Sequence, residues 1–583
     1  MNKAQTSQSP VVKPLRLWPG VLSAVLVGLF WIGVPLAFRD AQMVAMLGGL
    51  AGALSVLIWW LFFSHAPWFE RLGAIALMMV GVAAAYQVVH KSIATGMMGM
   101  MLILYAVPVL SMALVAWATA ARRLPNGARR ASLMITILAT CSAFTLLRTD
   151  GIFGEGGSDL HWRWTPSAEE QLLAQPPPKP MAEPPLLESP ETVATWPGFR
   201  GAQRNAIVTG VLVETNWAQT PPKQLWRSPV GPGWSSFAIH GSFFYTQEQR
   251  GEDEAVSCYK LKTGEPVWQH LSAARFWESN AGAGPRATPT FSQGRIYALG
   301  ATGILHALDA RTGSLIWSRN VASDTNTKIP GWGFAGSPLQ IGTMVVVAAA
   351  GKLAAYDIAT GEPRWVGPAH GGSYSSPHEA SLSGVHQILL MSNSGITSVS
   401  PAEGTVLWEH EWQGGTIIQP ALTAEGNILI STSGATGGIG VRLLAVNPEE
   451  AGWNVEERWT SRDLKPYFND MVAHKGHAYG FDGSMLACVN LQDGKRAWKG
   501  GRYGRGQLLL MTEQNLLLVV SEQGELALIN ATPDGYKEHG RFKAIEGKTW
   551  NHPAMGGDVL LVRNSEEMAA YRLSSAVQER SLK

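Results

Sequence analysis

Long apolar stretches separated by short polar segments dominate the first 150 residues of the chain. Five stretches contain no charged residue and are each about 17–25 residues long: Leu17–Phe38, Ala41–Phe63, Leu72–Val89, Met97–Ala121 and Ala131–Leu147. A helix of about this length crosses the ~30 Å hydrocarbon core of a bilayer. The pattern predicts an α-helical transmembrane bundle of about five helices over residues 17–147, after a cytoplasmic tail at residues 1–16.

The basic residues near the ends of these stretches predict their orientation. With the N-terminus inside, the cytoplasmic segments carry Lys3, Lys13, Arg16, Arg71, Arg122, Arg123, Arg129 and Arg130, and the outside segments carry Arg39, Lys91 and Arg148. Eight against three favours this orientation, because Lys and Arg are enriched in cytoplasmic loops. Five spans then place everything after Leu147 outside the cytoplasm. We expect a multi-pass protein of the inner (cytoplasmic) membrane, in contact with lipid, with its soluble part on the periplasmic or extracytoplasmic side; losing the fifth span would reverse that placement.

The pattern changes after the last apolar stretch. Residues 148–195 include the Pro-rich runs Gln175–Pro180 and Glu183–Pro185, which are typical of a semi-extended spacer. We expect an extracytoplasmic linker here, a soluble domain at residues 196–575 and a C-terminal tail at residues 576–583.

The soluble part repeats a short motif. Lys262–Trp268 recurs as Arg311–Trp317 and Ala359–Trp365, with looser copies at Ala402–Trp408 and Gln492–Trp498. In every copy a Trp follows a Gly by four residues, and short alternating strands lie upstream. A repeat with a period of 40–50 residues is typical of propellers, and Gly supplies the positive φ of a tight reversal. The Trp after each turn is expected to fill the gap toward the next blade.

The spacing of the Trp residues gives the number of blades. The Trp residues of the outer strands are Trp226, Trp268, Trp317, Trp365, Trp408, Trp459 and Trp498, and two later units near Glu525–Asn530 and Met568–Leu573 lack one. We predict an all-β domain, an eight-bladed β-propeller with Trp-docking repeats; seven blades is the main alternative. The first strand, Gln224–Pro229, has no inner strands before it, so we expect it to pair with the last strand and close the ring.

These residues resemble the quinoprotein-type, or pyrroloquinoline quinone (PQQ)-like, repeat. The family pattern Ala-x-Asp-x-x-Thr-Gly-x-x-x-Trp stands at Ala307–Trp317 and again at Ala355–Trp365. The resemblance covers residues 224–573, and the helices before it resemble those of membrane-bound quinoprotein glucose dehydrogenases. The family includes PQQ-dependent dehydrogenases and a lipoprotein scaffold for outer-membrane protein assembly, so the fold alone does not decide the activity.

Composition excludes some functions. The net charge is +2, and no basic stripe interleaved with aromatic residues occurs, so we do not expect nucleic-acid binding. The three cysteines form no pair or Cys/His cluster of metal-site spacing. The absence of charge within the apolar stretches argues against a transporter or proton pump.

Candidate ligand-binding residues lie in the segments that lead into the innermost strands. In a propeller these segments open onto one face, around the central channel. They contain Arg286, Trp332, Tyr374, Asn469, Asp470, Arg505, Trp550 and His552. Arginine forks and flat aromatic rings suit a planar polyanion, and Asp470 would bind Ca²⁺ or act as a general base if the protein is a dehydrogenase. The structural alternative is that Arg and Trp plug the channel and Asp470 caps a turn.

Two hypotheses follow for the function. The first is a membrane-anchored scaffold that presents its channel face to a protein partner or a small ligand. The second is a PQQ-dependent sugar or alcohol dehydrogenase that uses PQQ and Ca²⁺ and passes electrons to membrane quinone. About 45 residues per blade leave little chain for the long loops by which the family's enzymes enclose their cofactor. The first hypothesis is therefore preferred, and whether the protein is an enzyme stays open.

Overall fold

A computed structural model of the protein describes residues 15–38, 41–154, 156–175, 196–434, 437–450 and 452–573. It divides into two compact units: the described parts of Met1–Thr165 with Ser279–Ala281, and the described parts of Pro166–Glu278 and Gly282–Lys583. Arg39, most of the N-terminal tail, the Pro-rich runs from residue 176 onward and the C-terminal tail lie outside the described residues.

The first unit is helical. Four helices of its described part are long and apolar enough to cross a membrane: Trp18–Ala37, Gln42–Phe63, Trp68–Tyr86 and Met101–Arg123. The first two each contain one π-helical turn, at Leu29–Gly33 and Trp59–Phe63. Short helices at Lys91–Thr95 and Gly96–Gly99 connect the third and fourth. Four of the five predicted stretches thus form helices with the length and apolarity of a membrane span.

The fifth predicted stretch forms a helix with a different start. It runs from Asn126 to Ala143 and includes Arg129 and Arg130, so it is less apolar than the other four. Glu70, in the first turn of the third helix, accepts from Arg129 Nη2 and from Arg130 Nε at 2.9 Å each. These charges lie just before the apolar stretches, where the sequence alone predicted no helix. A fifth membrane crossing stays a prediction.

The predicted linker contains two folded elements. Leu147–Ile152 pairs with Ser158–Trp162 as a hairpin of the first unit. In the second unit, the helix Ala168–Leu173 buries Leu172, and the carboxylate of Glu169 binds Arg275 through two contacts of 2.8 and 2.9 Å. A capping box between Ser167 and Glu170 starts this helix. The described part of the expected spacer therefore contains folded elements.

The second unit is a propeller with eight four-stranded blades in its described residues. From the innermost strand outward, the strands are Ala238–His240, Phe243–Arg250, Asp253–Lys260 and Pro266–Ala273 in blade 1; Thr290–Ser292, Arg295–Leu299, Ile304–Asp309 and Leu315–Asn320 in blade 2; Leu339–Ile341, Met344–Ala349, Lys352–Asp357 and Pro363–Val366 in blade 3; His378–Leu382, Val385–Ser392, Gly395–Val399 and Val406–Glu411 in blade 4; Ala421–Leu422, Ile428–Gly434, Gly437–Glu449 and Gly452–Ser461 in blade 5; Val472–His474, His477–Asp482, Met485–Asn490 and Arg496–Arg502 in blade 6; Gln507–Met511, Leu516–Val520, Glu525–Asn530 and Glu538–Lys543 in blade 7; and Ala554–Gly556, Val559–Arg563, Glu567–Arg572 and Lys223–Pro229 in blade 8.

Blade 8 closes the ring as the sequence predicts. Its outermost strand, Lys223–Pro229, comes from the start of the domain and pairs with Glu567–Arg572 from the end, with Trp226 opposite Ala570. Closure leaves no unpaired edge between the first and last blades. Eight blades and the pairing of the two ends are both confirmed.

The Trp residues dock between blades through the glycine turns. Trp317 Nε1 donates to the carbonyl of Ile358 in the next blade at 3.1 Å. Gly361 has a φ of +75°, and a Cβ there would come within 2.6 Å of the Trp317 ring. The same contact joins Trp226 to Gly264, Trp268 to Gly313, Trp365 to Gly404 and Trp459 to Gly494. Trp408 differs, because its Nε1 donates to Gln387 Oε1 of its own blade at 2.7 Å. The third and fourth strands of blade 5 form a long hairpin where blades 1, 2, 3, 4 and 6 have the glycine turn.

Candidate functional site

One side chain per blade, just before or at the start of the innermost strand, forms a belt around the channel. The belt residues are Ser236, Thr288, Ser337, Ser376, Gln419, Asp470, Gln507 and His552. The backbone N–H of Ser236 donates to Thr288 Oγ1 at 2.9 Å. The N–H of Thr288 donates to Ser337 Oγ, also at 2.9 Å. Hydrogen bonds of this kind link neighbouring blades at the belt.

Two candidate site residues belong to this belt. Asp470 Oδ1 accepts the backbone N–H of Gln419 at 2.7 Å. The carbonyl of His552 accepts from Ser236 Oγ at 2.5 Å, which joins blade 8 to blade 1. The sequence predicts a ligand-binding or catalytic role for both residues. In the structure, both take part in the contacts between blades.

The channel holds a segment of the chain itself, Trp196–Val208, which we call the channel loop. It meets the innermost strands or the belt of six blades through Trp196 with Ile239, Pro197 with Phe291, Arg204 with Ser337, Arg200 with Asp470, Ile207 with Leu510, and Phe199 with His552. Ile207–Val208 adds a fifth, parallel strand inside blade 7. The channel loop therefore lies within the ring and fills its centre.

Backbone strain marks the turn of the channel loop. Arg200, Arg204 and Ala206 have φ values of 60°, 54° and 62°. Non-glycine residues rarely adopt this region, and they keep it only where the surrounding contacts hold the backbone in place.

Arg200 is the link between the channel loop and Asp470. Its side chain is 1% exposed, and its Nε lies 3.5 Å from Asp470 Oδ2. Arg200 Nη2 donates to the carbonyl of Met471 at 2.8 Å. Burial raises the pKa of Asp470, while Arg200 and the N–H of Gln419 act against that rise. Asp470 is thus enclosed, and its carboxylate already has two partners.

Arg204 is buried without a carboxylate partner in the described part of the chain. Its Nη1 and Nη2 donate to the carbonyls of Pro338 and Ser337 at 2.8 Å each. Burial and the charge of Arg200 lower the pKa of Arg204 to about 9. Two positive charges therefore share the turn of the channel loop.

Asn469 and His552 are also enclosed. Asn469 is fully buried, and its Oδ1 accepts the N–H of Tyr467 at 3.0 Å. The ring of His552 packs edge-on against Phe199, with centroids 5.8 Å apart. Burial, with the charge of Arg200, lowers the pKa of His552 to about 3, so the imidazole is neutral near pH 7. Neither side chain is presented to a ligand outside the channel.

Trp550 belongs to a half-buried aromatic cluster at the face where the innermost strands begin, which we call the mouth. Its ring lies 5.0 Å from that of Trp234 and 4.8 Å from that of Phe468. Lys548 Nζ lies 4.4 Å from the Trp550 ring and 5.1 Å from the Trp234 ring. Glu522 Oε1 accepts from Trp550 Nε1 at 2.7 Å and so fixes its orientation.

Arg505 lies beside this cluster. Its guanidinium is 5.4 Å from the ring centroid of Tyr467, and its backbone N–H donates to Glu522 Oε2 at 3.2 Å. The described residues place no carboxylate within ion-pair distance of its side chain. Of the two candidate arginines, Arg505 is the one whose guanidinium group can form an ion pair with a ligand.

Trp332 and Tyr374 form a second aromatic pair at the mouth. Their rings are 4.9 Å apart at 36°, and the backbone N–H of Trp332 donates to Tyr374 Oη at 3.4 Å. Both side chains are partly exposed. The pair offers an apolar surface with one hydroxyl.

Arg286 is engaged by the small hairpin of Trp277–Glu278 and Gly282–Ala283. It donates to the carbonyls of Ala283 and Gly282 at 3.1 and 2.8 Å and pairs with Glu278 at 3.3 Å. Burial lowers the pKa of Arg286 to about 10. The guanidinium group of Arg286 is thus bound by this hairpin and is not available to a ligand.

The candidate site residues thus lie at two levels of the channel. Trp332, Tyr374, Arg505 and Trp550 reach the mouth, whereas Asn469, Asp470 and His552 lie at the belt and Arg286 is engaged by its hairpin. Sequence reasoning missed Arg200 and Arg204, since they precede the repeats. It also missed Trp234, Phe468 and Lys548, although all three stand in or next to the segments it examined. The run Trp196-Pro-Gly-Phe-Arg-Gly201, apolar and positively charged just ahead of the first blade, is the signal that could have pointed to the channel loop.

The channel does not suit the cofactors that the resemblance implies. PQQ is a planar tricarboxylate, and the channel loop takes up the centre where such a molecule would need room. Among the described residues, no group of three or more His, Cys, Asp and Glu side chains could hold a metal ion. Asp470 is already bound to Arg200 and to the N–H of Gln419. The residues present therefore do not fit PQQ with Ca²⁺ in the channel.

Fold and repeat define the class: an eight-bladed propeller of the PQQ-like type, preceded by helices long and apolar enough to span a membrane. Residues 252–500 match the family described as "Outer membrane protein assembly factor BamB". The match extends from blade 1 into blade 6 and covers less than half of the chain. The expected resemblance to the quinoprotein-type repeat is confirmed.

Several solved structures are similar to this chain. BamB from Moraxella catarrhalis is 15% identical with a TM-score of 0.44, and the alignment covers 60% of this chain and 99% of that one. The quinohemoprotein alcohol dehydrogenase from Comamonas testosteroni is 12% identical with a TM-score of 0.46, and the alignment covers 67% and 82%. At such identities the likeness concerns the fold alone. Among curated proteins, none matches the chain significantly.

Proposed function

We propose that this protein is a membrane-anchored, non-catalytic scaffold whose propeller binds a protein partner at its mouth. The observation that carries the proposal is the channel loop, which fills the centre of the ring. It pairs with Asp470, the residue that a dehydrogenase would need as its base. An enzyme of this fold needs a reachable channel, whereas a scaffold needs only a rigid ring with a binding face.

The chemistry of the mouth suits a polypeptide. Trp234, Trp550 and Phe468 present half-buried rings, and such aromatic anchors dominate the binding energy of protein interfaces. Arg505 and Lys548 add positive charge at the edge of these rings. The partner segment is expected to carry apolar side chains next to an acidic one, because Arg forks match carboxylates.

The family match supports a scaffold over an enzyme. Residues 252–500 match a family named for an assembly factor, which by its name acts on other proteins. The second hypothesis, a PQQ-dependent dehydrogenase coupled to membrane quinone, has no comparable support from the residues in the channel. We further propose that the helix Asn126–Ala143 crosses the inner membrane as a fifth span. With the N-terminus inside, as the distribution of basic residues indicates, the propeller then lies on the periplasmic side.

Site-specific crosslinking tests the binding face. A photoreactive phenylalanine analogue replaces Phe468 in the full-length, membrane-inserted protein, and a matched analogue replaces Leu315, which is 50% exposed on an outer strand of blade 2. We expect a discrete protein adduct from position 468 that Trp550→Ala removes, and none from position 315. Adducts of equal yield at both positions, or an adduct that Trp550→Ala leaves unchanged, would contradict the proposal.

Reconstitution tests the alternative. Purified protein is mixed with PQQ and Ca²⁺, and binding is followed by quinone absorbance and dye reduction with sugars and alcohols. We expect neither signal. Cofactor binding that Asp470→Asn abolishes would favour the dehydrogenase instead.

A further inference from the structure

The turn of the channel loop contains more buried donors than acceptors. Arg200 Nη1 and Arg204 Nε have no hydrogen-bond acceptor among the described residues, and Arg200 Nε has only the ion-pair contact of 3.5 Å with Asp470. The two residues are 1% and 6% exposed, so the protein encloses both charges. Buried polar groups are almost always hydrogen-bonded, and charge makes an exception costlier.

The charges in this region are also unbalanced, with more positive than negative groups. Arg200 and Arg204 supply two positive charges, and Asp470 is the one carboxylate that the described residues bring near them. His378 and His552 face these arginines, and burial with the charge of Arg200 lowers the pKa of each to about 3. Both imidazoles are thus neutral at pH 7, and the enclosed cluster has a net charge of +1.

A buried charge without a counter-charge is strongly disfavoured. Removing an ion from water costs several kcal/mol unless an opposite charge and hydrogen bonds compensate for it. Backbone carbonyls of Pro338, Ser337 and Met471 satisfy three guanidinium nitrogens. Carbonyl dipoles do not change the net charge, and the nitrogens that remain still need an acceptor.

We propose that Arg200 and Arg204 together bind one small monovalent anion of the halide type, such as chloride, inside the channel. A single negative charge balances the cluster, and a halide accepts hydrogen bonds from several directions at once. The channel loop leaves no room for a large polyanion at the centre of the ring. His378, whose Nδ1 also has no partner among the described residues, lines the same site.

The anion stabilises the seated channel loop. Because three non-glycine residues of the loop hold positive φ values, the loop depends on its contacts to keep this conformation. An anion between the two arginines removes their mutual repulsion and fixes both forks. Chloride is thus expected to bind the folded propeller and not the unfolded chain.

Thermal unfolding tests this site with chloride itself as the probe. Full-length protein in detergent is unfolded in sodium chloride and in sodium gluconate at equal ionic strength, and tryptophan fluorescence reports the transition. We expect chloride to raise the Tm by about 2 °C or more, because a ligand that binds only the folded state shifts the midpoint upward. Equal midpoints in the two salts would overturn the proposal.

Two variants separate this site from a general salt effect. Arg204→Gln removes the excess charge, so its Tm is expected to be the same in both salts. Arg563→Gln is the matched control, since Arg563 is also buried, at 1%, but each of its guanidinium nitrogens has an acceptor outside the channel loop; its dependence on chloride should match that of the unmodified protein. A chloride dependence that persists in Arg204→Gln would contradict the assignment.

Crystals grown in bromide give a measurement that does not depend on the stability of any variant. Anomalous scattering should show one bromide between the guanidinium groups of Arg200 and Arg204. Bromide found only on the protein surface would overturn the site.

Discussion

The outer and inner layers of the propeller differ in how they join neighbouring blades. In the outer layer the same pair, a Trp and a positive-φ Gly, joins neighbouring blades at five junctions. In the inner layer the belt uses Ser, Thr, Gln, Asp and His at equivalent positions, and its partners include the channel loop. The outer layer is a general spacer between blades, whereas the inner layer is fitted to one particular segment of chain.

This difference explains where sequence repeats are informative. Five outer Trp residues meet the same environment, a glycine turn of the next blade, so the same residue serves at each of these five positions. The belt residues Ser337, Asp470 and His552 each meet a different part of the channel loop, so no single residue type suits all belt positions. The positions that differ from repeat to repeat therefore include residues that bind the channel loop as well as residues at the mouth.

The outer layer is expected to give the largest loss of stability. Trp317→Ala removes a ring that is 8% exposed and its hydrogen bond to Ile358. Truncating a buried Trp costs about 3–5 kcal/mol, because a cavity remains. Denaturant unfolding measures this cost, with Leu315→Ala, on the exposed face of the same strand, as the control. A cost below that of Leu315→Ala would mean that the Trp does not hold the blades together.

The inner layer is expected to depend on charge balance. Asp470→Ala leaves Arg200 buried without its partner, and breaking such a pair costs about 3 kcal/mol. The double change Arg200→Met with Asp470→Leu should recover most of that loss, as judged by a double-mutant cycle. If Asp470→Ala instead keeps full stability, Asp470 has a role other than seating the channel loop.

Acid should weaken the inner layer before the outer one. In the folded protein, the pKa values of His378 and His552 are lowered to about 3 by burial and Arg200, from an ordinary value of 6.5. Between these values the unfolded chain binds protons that the folded protein does not, so stability falls as pH drops through this window. At about pH 5 each histidine accounts for roughly 2 kcal/mol of that loss. Unfolding measured across pH should show a shallower slope for His378→Gln, and an unchanged slope would contradict the assignment.

An ion pair outside both layers is expected to give the smallest loss of stability. Glu169→Gln weakens the contact between Arg275 and the helix Ala168–Leu173, where both side chains are partly exposed. Pairs of this kind contribute no more than about 1 kcal/mol. The Tm of this variant should therefore stay close to that of the unmodified protein, and a large drop would show that this helix is part of the propeller core.

The sequence predicts the outer layer well and the inner layer poorly. The Trp residues, the glycine turns, eight blades and the closing strand pair follow from a period along the chain, and each depends on contacts between adjacent repeats. The channel loop has no period, and its partners range from Ile239 to His552. Local patterns carry no information about such distant contacts.

The helical unit shows the same limit on a smaller scale. Apolar stretches locate the helices, but the third begins at Trp68 and the fifth at Asn126, each a few residues before its apolar stretch. The added turns contain Glu70, Arg129 and Arg130, which compensate one another. Hydropathy predicts where apolar helices lie, but it does not predict that charged residues are paired in the fold and continue the helix.

Blade 8 and the channel loop impose an order on biogenesis. The strand Lys223–Pro229 is synthesised some 340 residues before its partner Glu567–Arg572, and the channel loop emerges earlier still. Neither can reach its final position until the last blade has been made and delivered to the same compartment. A chain that stops before the last blade therefore leaves the strand Lys223–Pro229 without its partner and the ring open.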